Sequence, residues 1–194
     1  MTKFYYSFLL VLVYSCGDHV VPKPNAQLRL EYPKAKYITT QGEAPFSFEL
    51  NELATKITTQ RINSATESYG VTIEYPLLKG SIFLTYKSIN NNQDNLIAFL
   101  RDAQKFTTEH MIKADEIPPP KEYINELDKV YGVFTEVKGD VASQAQFYVT
   151  DSINHFLTGS LYFYAKPNYD SILPAVDYLG KDIRHIMETI QWKK

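Results

Sequence analysis

Two ionisable side chains near the carboxyl end are spaced so that they could bind a metal ion together. Asp182 and His185 are three residues apart in a segment with helical periodicity, so they share one face of the predicted helix. A protein metal site usually needs three or four ligands with supporting hydrogen bonds, and a pair alone does not make one. We therefore predict no metal and no other cofactor.

Adjacent carboxylates at Asp115 and Glu116 are of the residue type that general acid and base catalysis uses in pairs. Neighbouring side chains on a strand point to opposite faces, so a catalytic pair would require a loop here. We predict a solvated edge instead. His110 falls on the apolar side of a predicted helix, which favours a packed histidine over a ligand. The sequence contains no glycine-rich phosphate loop, serine elbow or histidine-rich metal motif, so we predict no catalytic residue and no enzyme activity.

The only cysteine of the chain, Cys16, follows a short apolar run. Lys3 is the one charged residue before that run, which extends over residues 4–14 and is interrupted only by Ser7. Eleven residues rise about 16 Å as a helix, about half of a 30 Å hydrocarbon core, so this segment is too short to span a bilayer. A positive start, a short apolar run and a small residue at the junction indicate a secretory signal peptide.

The junction itself, Leu-Val-Tyr-Ser-Cys over residues 12–16, resembles a bacterial lipoprotein signal. In such signals the cysteine thiol is acylated and the cysteine becomes the first residue of the mature chain. Tyr14 departs from the small or aliphatic residue usual there, and the alternatives are an ordinary signal peptide or a buried thiol. We predict a signal peptide over residues 1–15, a lipidated extended tether over 16–26 and a single domain over 27–194.

The predicted tether carries two prolines and no helical or strand period, which favours an extended chain. Asp18 is the only acid in residues 17–25, so the tether lacks the acidic run that resembles a surface-export signal. We therefore expect a cell-envelope protein that is lipid-anchored to a membrane and faces the periplasm.

Composition limits the class of protein further. A length of 194 residues favours one domain, and a formal net charge of −2 excludes a strongly basic nucleic-acid binder. One cysteine excludes an internal disulfide bond. The 15 Tyr and 11 Phe suit strands better than a helical bundle.

Hydrophobic periodicity predicts an α+β fold, a mostly antiparallel sheet packed with two long helices. The first helix is expected over about 94–113, after a cap within 90–92. The second is expected to begin at a cap, Asp170 or Ser171, and to run to about 190 with a long apolar stripe and with Pro174 in its first turn. The short spacing between 71–75 and 80–86 predicts an antiparallel hairpin. Whether the chain returns to a strand over residues 112–117 stays undecided at this point. Residues 51–68 fit neither the helical nor the strand period, and residues 151–159 are predicted to form a polar loop. The predicted strands cover residues 28–32, 46–50, 71–75, 80–86, 130–137, 144–150 and 160–165.

The last predicted strand is rich in aromatic residues. Tyr162 and Tyr164 alternate with Phe163, so rings occupy both faces. We predict a central strand covered by helices on both sides. The alternative is an aromatic face presented to a protein or glycan partner.

Several stretches together resemble the gliding-motility lipoprotein GldD family of Bacteroidetes. They are RLEYP at 29–33, PFSFE at 45–49, IEYP at 73–76, LTYK at 84–87, IKADE at 112–116, the run 143–174 and DIRH at 182–185. The resemblance implies an envelope lipoprotein required for gliding motility and associated with type IX secretion, with Cys16 as the acylated residue. The closing strands and helix also look like the PsbP and Mog1 class of domain.

The resulting functional hypothesis is a non-catalytic adaptor or accessory of the gliding and type IX secretion machinery. Its expected partners are a membrane, through the covalent lipid at Cys16, and other gliding or type IX secretion proteins, with no nucleic acid. The alternative is an envelope ligand-binding or glycan-acting protein.

Overall fold

The described part of the chain is dominated by one antiparallel sheet with a helix on each face. A computed structural model describes residues 31–111, 114–139, 141–164 and 169–193. The α+β fold predicted from periodicity is confirmed. Cys16, the predicted signal peptide and the predicted tether lie outside the described residues.

Seven strands form the main sheet in the order β4-β5-β6-β10-β9-β8-β7, and every neighbouring pair is antiparallel. In chain order they are β4 (Lys56–Ile62), β5 (Ser68–Tyr75), β6 (Gly80–Ser88), β7 (Lys121–Asn125), β8 (Val130–Glu136), β9 (Ser143–Thr150) and β10 (His155–Phe163). Two short pairs complete the strands: β1 (Tyr37–Thr39) with β3 (Glu49–Asn51), and β2 (Phe46–Ser47) with β11 (Gln191–Trp192). The helices are α1 (Gln93–Met111) and α2 (Tyr169–Glu188).

Helix α2 covers the inner face of the main sheet, by which we mean the face that bears the buried core. Leu179 and Ile183 are fully buried, and the helix contacts β6, β9 and β10. The predicted apolar stripe is therefore confirmed. The helix begins at Tyr169, so Pro174 lies inside it and not in its first turn as predicted. Because proline has no backbone N–H, the helix lacks one backbone hydrogen bond at this position. The side chains of Asp170 and Ser171, the two predicted caps, lie outside the described residues.

Helix α1 lies on the opposite, outer face of the main sheet. Asn92 caps it as the sequence predicted, since its Oδ1 accepts the backbone N–H of Asp94 at 2.8 Å. Phe99 packs on Phe156 of β10, with 5.7 Å between ring centroids. Every α1 side chain that the structure describes is exposed or only half-buried, so this helix covers its face loosely. The helix ends at Met111, and the side chain of His110 lies outside the described residues.

The predicted loop over 151–159 is wrong, because β10 already begins at His155. Asp151 closes the turn within four residues: its Oδ1 accepts backbone N–H groups of Ile153, Asn154 and His155 at 2.8 to 2.9 Å. Gly159 is a strand residue and not a turn residue, since the ring of Phe147 fills the space that a Cβ would take.

Other strand boundaries also differ from the predictions. Of the expected strand over 28–32, the structure describes only Glu31 and Tyr32, which are not in a strand, and residues 28–30 lie outside the described part of the chain. The run 46–50 is divided between β2 and β3, which pair with different strands. The open question at 112–117 resolves to a single bridge from Glu116 to Lys138 within the residues described there. The edge strands β4 and β7 had no prediction, because their side chains are mostly exposed and lack an apolar face.

Within the described ranges, neither helix is both long and apolar enough to span a bilayer.

Candidate functional site

An open cleft lies between helix α1 and the outer face of the main sheet. Its volume is about 1130 Å³. Eight aromatic residues are among those that line it: Phe83, Phe99, Phe147, Tyr148, Phe156, Tyr162, Phe163 and Tyr164. Its size and lining are those of a ligand or partner site.

The strand register explains why these rings meet. Residues two apart on a strand share a face, and β6 pairs with β10 so that Phe83 is opposite Ser160 and lies beside Tyr162. The Phe83 and Tyr162 rings meet edge to face at 5.6 Å. At the other end, Tyr148 and Phe156 stack at 5.9 Å. The aromatic strand is central, as predicted, but only its inner face is fully covered.

One cation stands at the rim of this cleft. Lys87 Nζ is 3.3 Å from Asp102 Oδ2 of α1 and 4.7 Å from the centre of the Phe99 ring. Among the described residues that line the cleft, Lys87 and Asp102 are the ones charged at neutral pH. The sequence reasoning did not single out Lys87, Phe83 or Phe99. The shared face of Phe83 and Lys87 could have been read from the alternation in β6.

A second polar cluster lies on the inner side, where α2 meets β1 and β3. Asp182 is 1% exposed. Asn51 Nδ2 donates to both Asp182 oxygens at 2.9 Å, and Tyr37 Oη donates to Oδ1 at 2.9 Å. Burial raises the pKa of Asp182 above its ordinary value, and these hydrogen bonds only partly offset that effect.

His185 shares the helix face of Asp182 but has a different partner. Its Nε2 lies 2.6 Å from Glu49 Oε2, and its ring stacks on Tyr37 with 3.7 Å between centroids. The predicted common face is therefore present, but each side chain bonds to a different partner in β1 or β3. The parts of the chain that the structure describes contain no group of three or more His, Cys, Asp or Glu placed to hold a metal ion.

The adjacent acids Asp115 and Glu116 lie on an exposed edge, as the sequence indicated. Glu116 Oε2 forms an ion pair with Lys138 Nζ at 2.9 Å, and the Asp115 backbone N–H donates to the Lys138 carbonyl at 3.0 Å. Neither carboxylate is among the residues that line the cleft.

The family model described as gliding motility lipoprotein GldD matches residues 17–192, and thus almost the whole described fold. The chain belongs to the GldD family of gliding motility lipoproteins. Membership confirms the resemblance seen in the sequence, and it gives the chain a role in gliding motility and an association with the cell envelope. GldD proteins are not a known enzyme family.

No curated protein and no solved structure matches this GldD chain. The PsbP and Mog1 likeness therefore stays a prediction.

The raised pKa of Asp182 gives a testable pH dependence. A carboxyl group whose pKa is higher in the folded than in the unfolded chain binds more protons when folded, so its contribution to stability is full at low pH and falls as pH rises through the folded-state pKa. Lowering the pH from about 7 to about 4 should therefore increase the stability of the wild type relative to Asp182→Asn. Urea unfolding of both chains at each pH measures this difference, and a difference that does not change with pH contradicts it.

Proposed function

We propose that this GldD chain is a non-catalytic adaptor of the gliding and type IX secretion machinery, held at a membrane by acyl chains on Cys16. Family membership supplies the role in motility and the envelope association. Beyond what the family gives, we propose the adaptor role, the secretion partners and the periplasmic orientation.

The observation that carries the non-catalytic assignment is the engagement of Asp182. The sequence offered this buried carboxylate as one candidate for chemistry, in a metal pair with His185, and its oxygens accept hydrogen bonds from Asn51 and Tyr37. Three chain segments are joined by these contacts. Such buried, satisfied hydrogen bonds are typical of a structural role. Because the Asp182 carboxylate is buried, a substrate has little access to it. His185 and Glu116 are similarly engaged with Glu49 and Lys138.

The anchoring part of the proposal is supported by the position of Cys16. Only Ser15 separates the cysteine from the apolar run, and the family match begins at the residue after the cysteine, Gly17. The predicted extended tether over residues 16–26 would reach up to about 40 Å from the proposed lipid. This reach lets the folded part meet partners at some distance from the bilayer.

Single-carboxylate variants test the non-catalytic assignment. Asp115→Asn and Glu116→Gln should leave gliding unchanged, because both acids lie on a solvated edge and a surface ion pair contributes at most about 1 kcal/mol. Colony spreading and single-cell gliding speed are the measurements, with immunoblots to confirm normal protein levels. Loss of gliding in Asp115→Asn, in a folded and abundant protein, would favour an enzyme.

A ligand-binding envelope protein is the second candidate function. The open aromatic cleft on the outer face of the sheet favours it, since its volume suits a sizeable ligand.

A further inference from the structure

We propose that the cleft between α1 and the outer sheet face binds a single long acyl chain whose anionic head group pairs with Lys87. This site goes beyond the adaptor role and does not depend on it.

The dimensions of the cleft suit one acyl chain. If a methylene group takes about the space of a water molecule in the liquid, about 30 Å³, sixteen carbons need about 480 Å³. The cleft of about 1130 Å³ holds such a chain together with its head group. Two such chains with their glycerol would fill nearly the whole volume, including its open side, so a single-chain ligand fits better than a phospholipid.

The walls favour an apolar ligand over a sugar. Rings from both the sheet and α1 face the cleft, and apolar contact with such walls stabilises a buried methylene by about 0.8 kcal/mol. The floor hydroxyl of Thr158 is directed to the Thr85 carbonyl at 3.5 Å. A sugar would need several polar side chains aimed at its hydroxyl groups. Polar residues such as Thr135, Gln146 and Ser160 do line the cleft, but most of the lining surface is apolar.

The charge at the rim selects the head group. Among the described residues, Lys87 Nζ contacts Asp102, which is largely exposed, and the face of the Phe99 ring. An exposed ion pair of this kind contributes at most about 1 kcal/mol, so a carboxylate at the end of a chain can replace Asp102 at little cost. Helix α1 has no fully buried side chain among those described, which allows it to move and admit the chain.

Photo-crosslinking of the full chain in neutral-lipid nanodiscs tests the site. The probe is a sixteen-carbon fatty acid that carries a diazirine, and labelled peptides are mapped by mass spectrometry. Labels should concentrate on β6, α1 and β10. Ala103 lines the cleft, whereas Ala98 on the same helix is exposed and does not. Ala103→Trp should reduce labelling of these elements by about tenfold or more, a loss of at least 1.4 kcal/mol in binding, and Ala98→Trp should not.

A second pair of variants tests the head group. Lys87→Gln should weaken labelling by the fatty acid about tenfold, the effect of losing one charge-assisted contact, without changing labelling by a diazirine-bearing hexadecanol. Lys56→Gln, which removes a more exposed lysine paired with Glu74 at 3.5 Å outside the cleft, should change neither.

Circular dichroism establishes that each variant is folded, and Ser160→Trp on the cleft floor replaces Ala103→Trp if the latter is not. Equal labelling in the two tryptophan variants would show contact with the disc lipids alone and would overturn the proposal. Suppression of labelling by an oligosaccharide or an apolar peptide, but not by unlabelled palmitate, would assign the cleft to that ligand instead. Each of these results leaves the adaptor role untouched, because none measures motility.

Discussion

Replacing Cys16 with alanine should release the chain from the membrane fraction and abolish gliding. The thiol is the only sulfur nucleophile of the chain, so no other cysteine can accept the lipid. Each buried methylene contributes about 0.8 kcal/mol, and a single acyl chain anchors only marginally, which is why two or three chains are needed for stable attachment. Loss of the acylation site removes all of them together.

Cell fractionation and incorporation of radiolabelled palmitate measure the effect. The matched control is Ser15→Ala, which keeps a small residue before the cysteine and should retain both the label and membrane attachment. Undiminished palmitate labelling of Cys16→Ala would rule the anchor out.

Replacing Asp182 with alanine should cause the largest loss of stability of any single carboxylate change considered. The substitution removes the acceptor of the Tyr37 hydroxyl and the two acceptor oxygens of Asn51 Nδ2, which keeps its contact with Tyr178 Oη at 3.1 Å. Each unsatisfied buried donor costs about 1–3 kcal/mol, so we expect a loss of about 3 kcal/mol. The contacts between α2 and the β1–β3 pair should weaken first, because these donors lie in β1 and β3.

Denaturant unfolding of the full chain measures this loss. Asp177→Ala is the matched control, since Asp177 is exposed on the same helix and its removal should change stability by less than about 0.5 kcal/mol. Similar unfolding midpoints for the two variants would show that the Asp182 contacts do not stabilise the fold.

Hydrophobic periodicity was sufficient to predict those helices and strands that have an apolar face. The alternation of 71–75 and 80–86 predicted the β5–β6 hairpin, and the stripe containing Leu179 and Ile183 predicted α2. It failed for β4 and β7, because edge strands with exposed side chains carry no such signal. It also misplaced the start of β10, because the pattern places Gly159 in a predicted loop. A glycine is needed there because the Phe147 ring of the neighbouring strand occupies the space of a Cβ.

The candidate sites depended on contacts that no local pattern contains. Tyr37 is 145 residues from Asp182 along the chain, and Asn51 is 131 residues away. The spacing of Asp182 and His185 predicted their common helix face but could not predict that each has its own partner. Similarly, the aromatic alternation of β10 was visible in the sequence. The cleft arises because α1 covers the outer face only loosely, which is a property of tertiary packing.

In-cell crosslinking followed by purification of the membrane-tethered chain tests the central claim most directly. The account predicts that gliding or type IX secretion components are recovered with the wild type and with Asp115→Asn, and are lost with Cys16→Ala. Recovery of none of these components with the tethered wild type, together with turnover of a substrate by the purified chain alone, would contradict it.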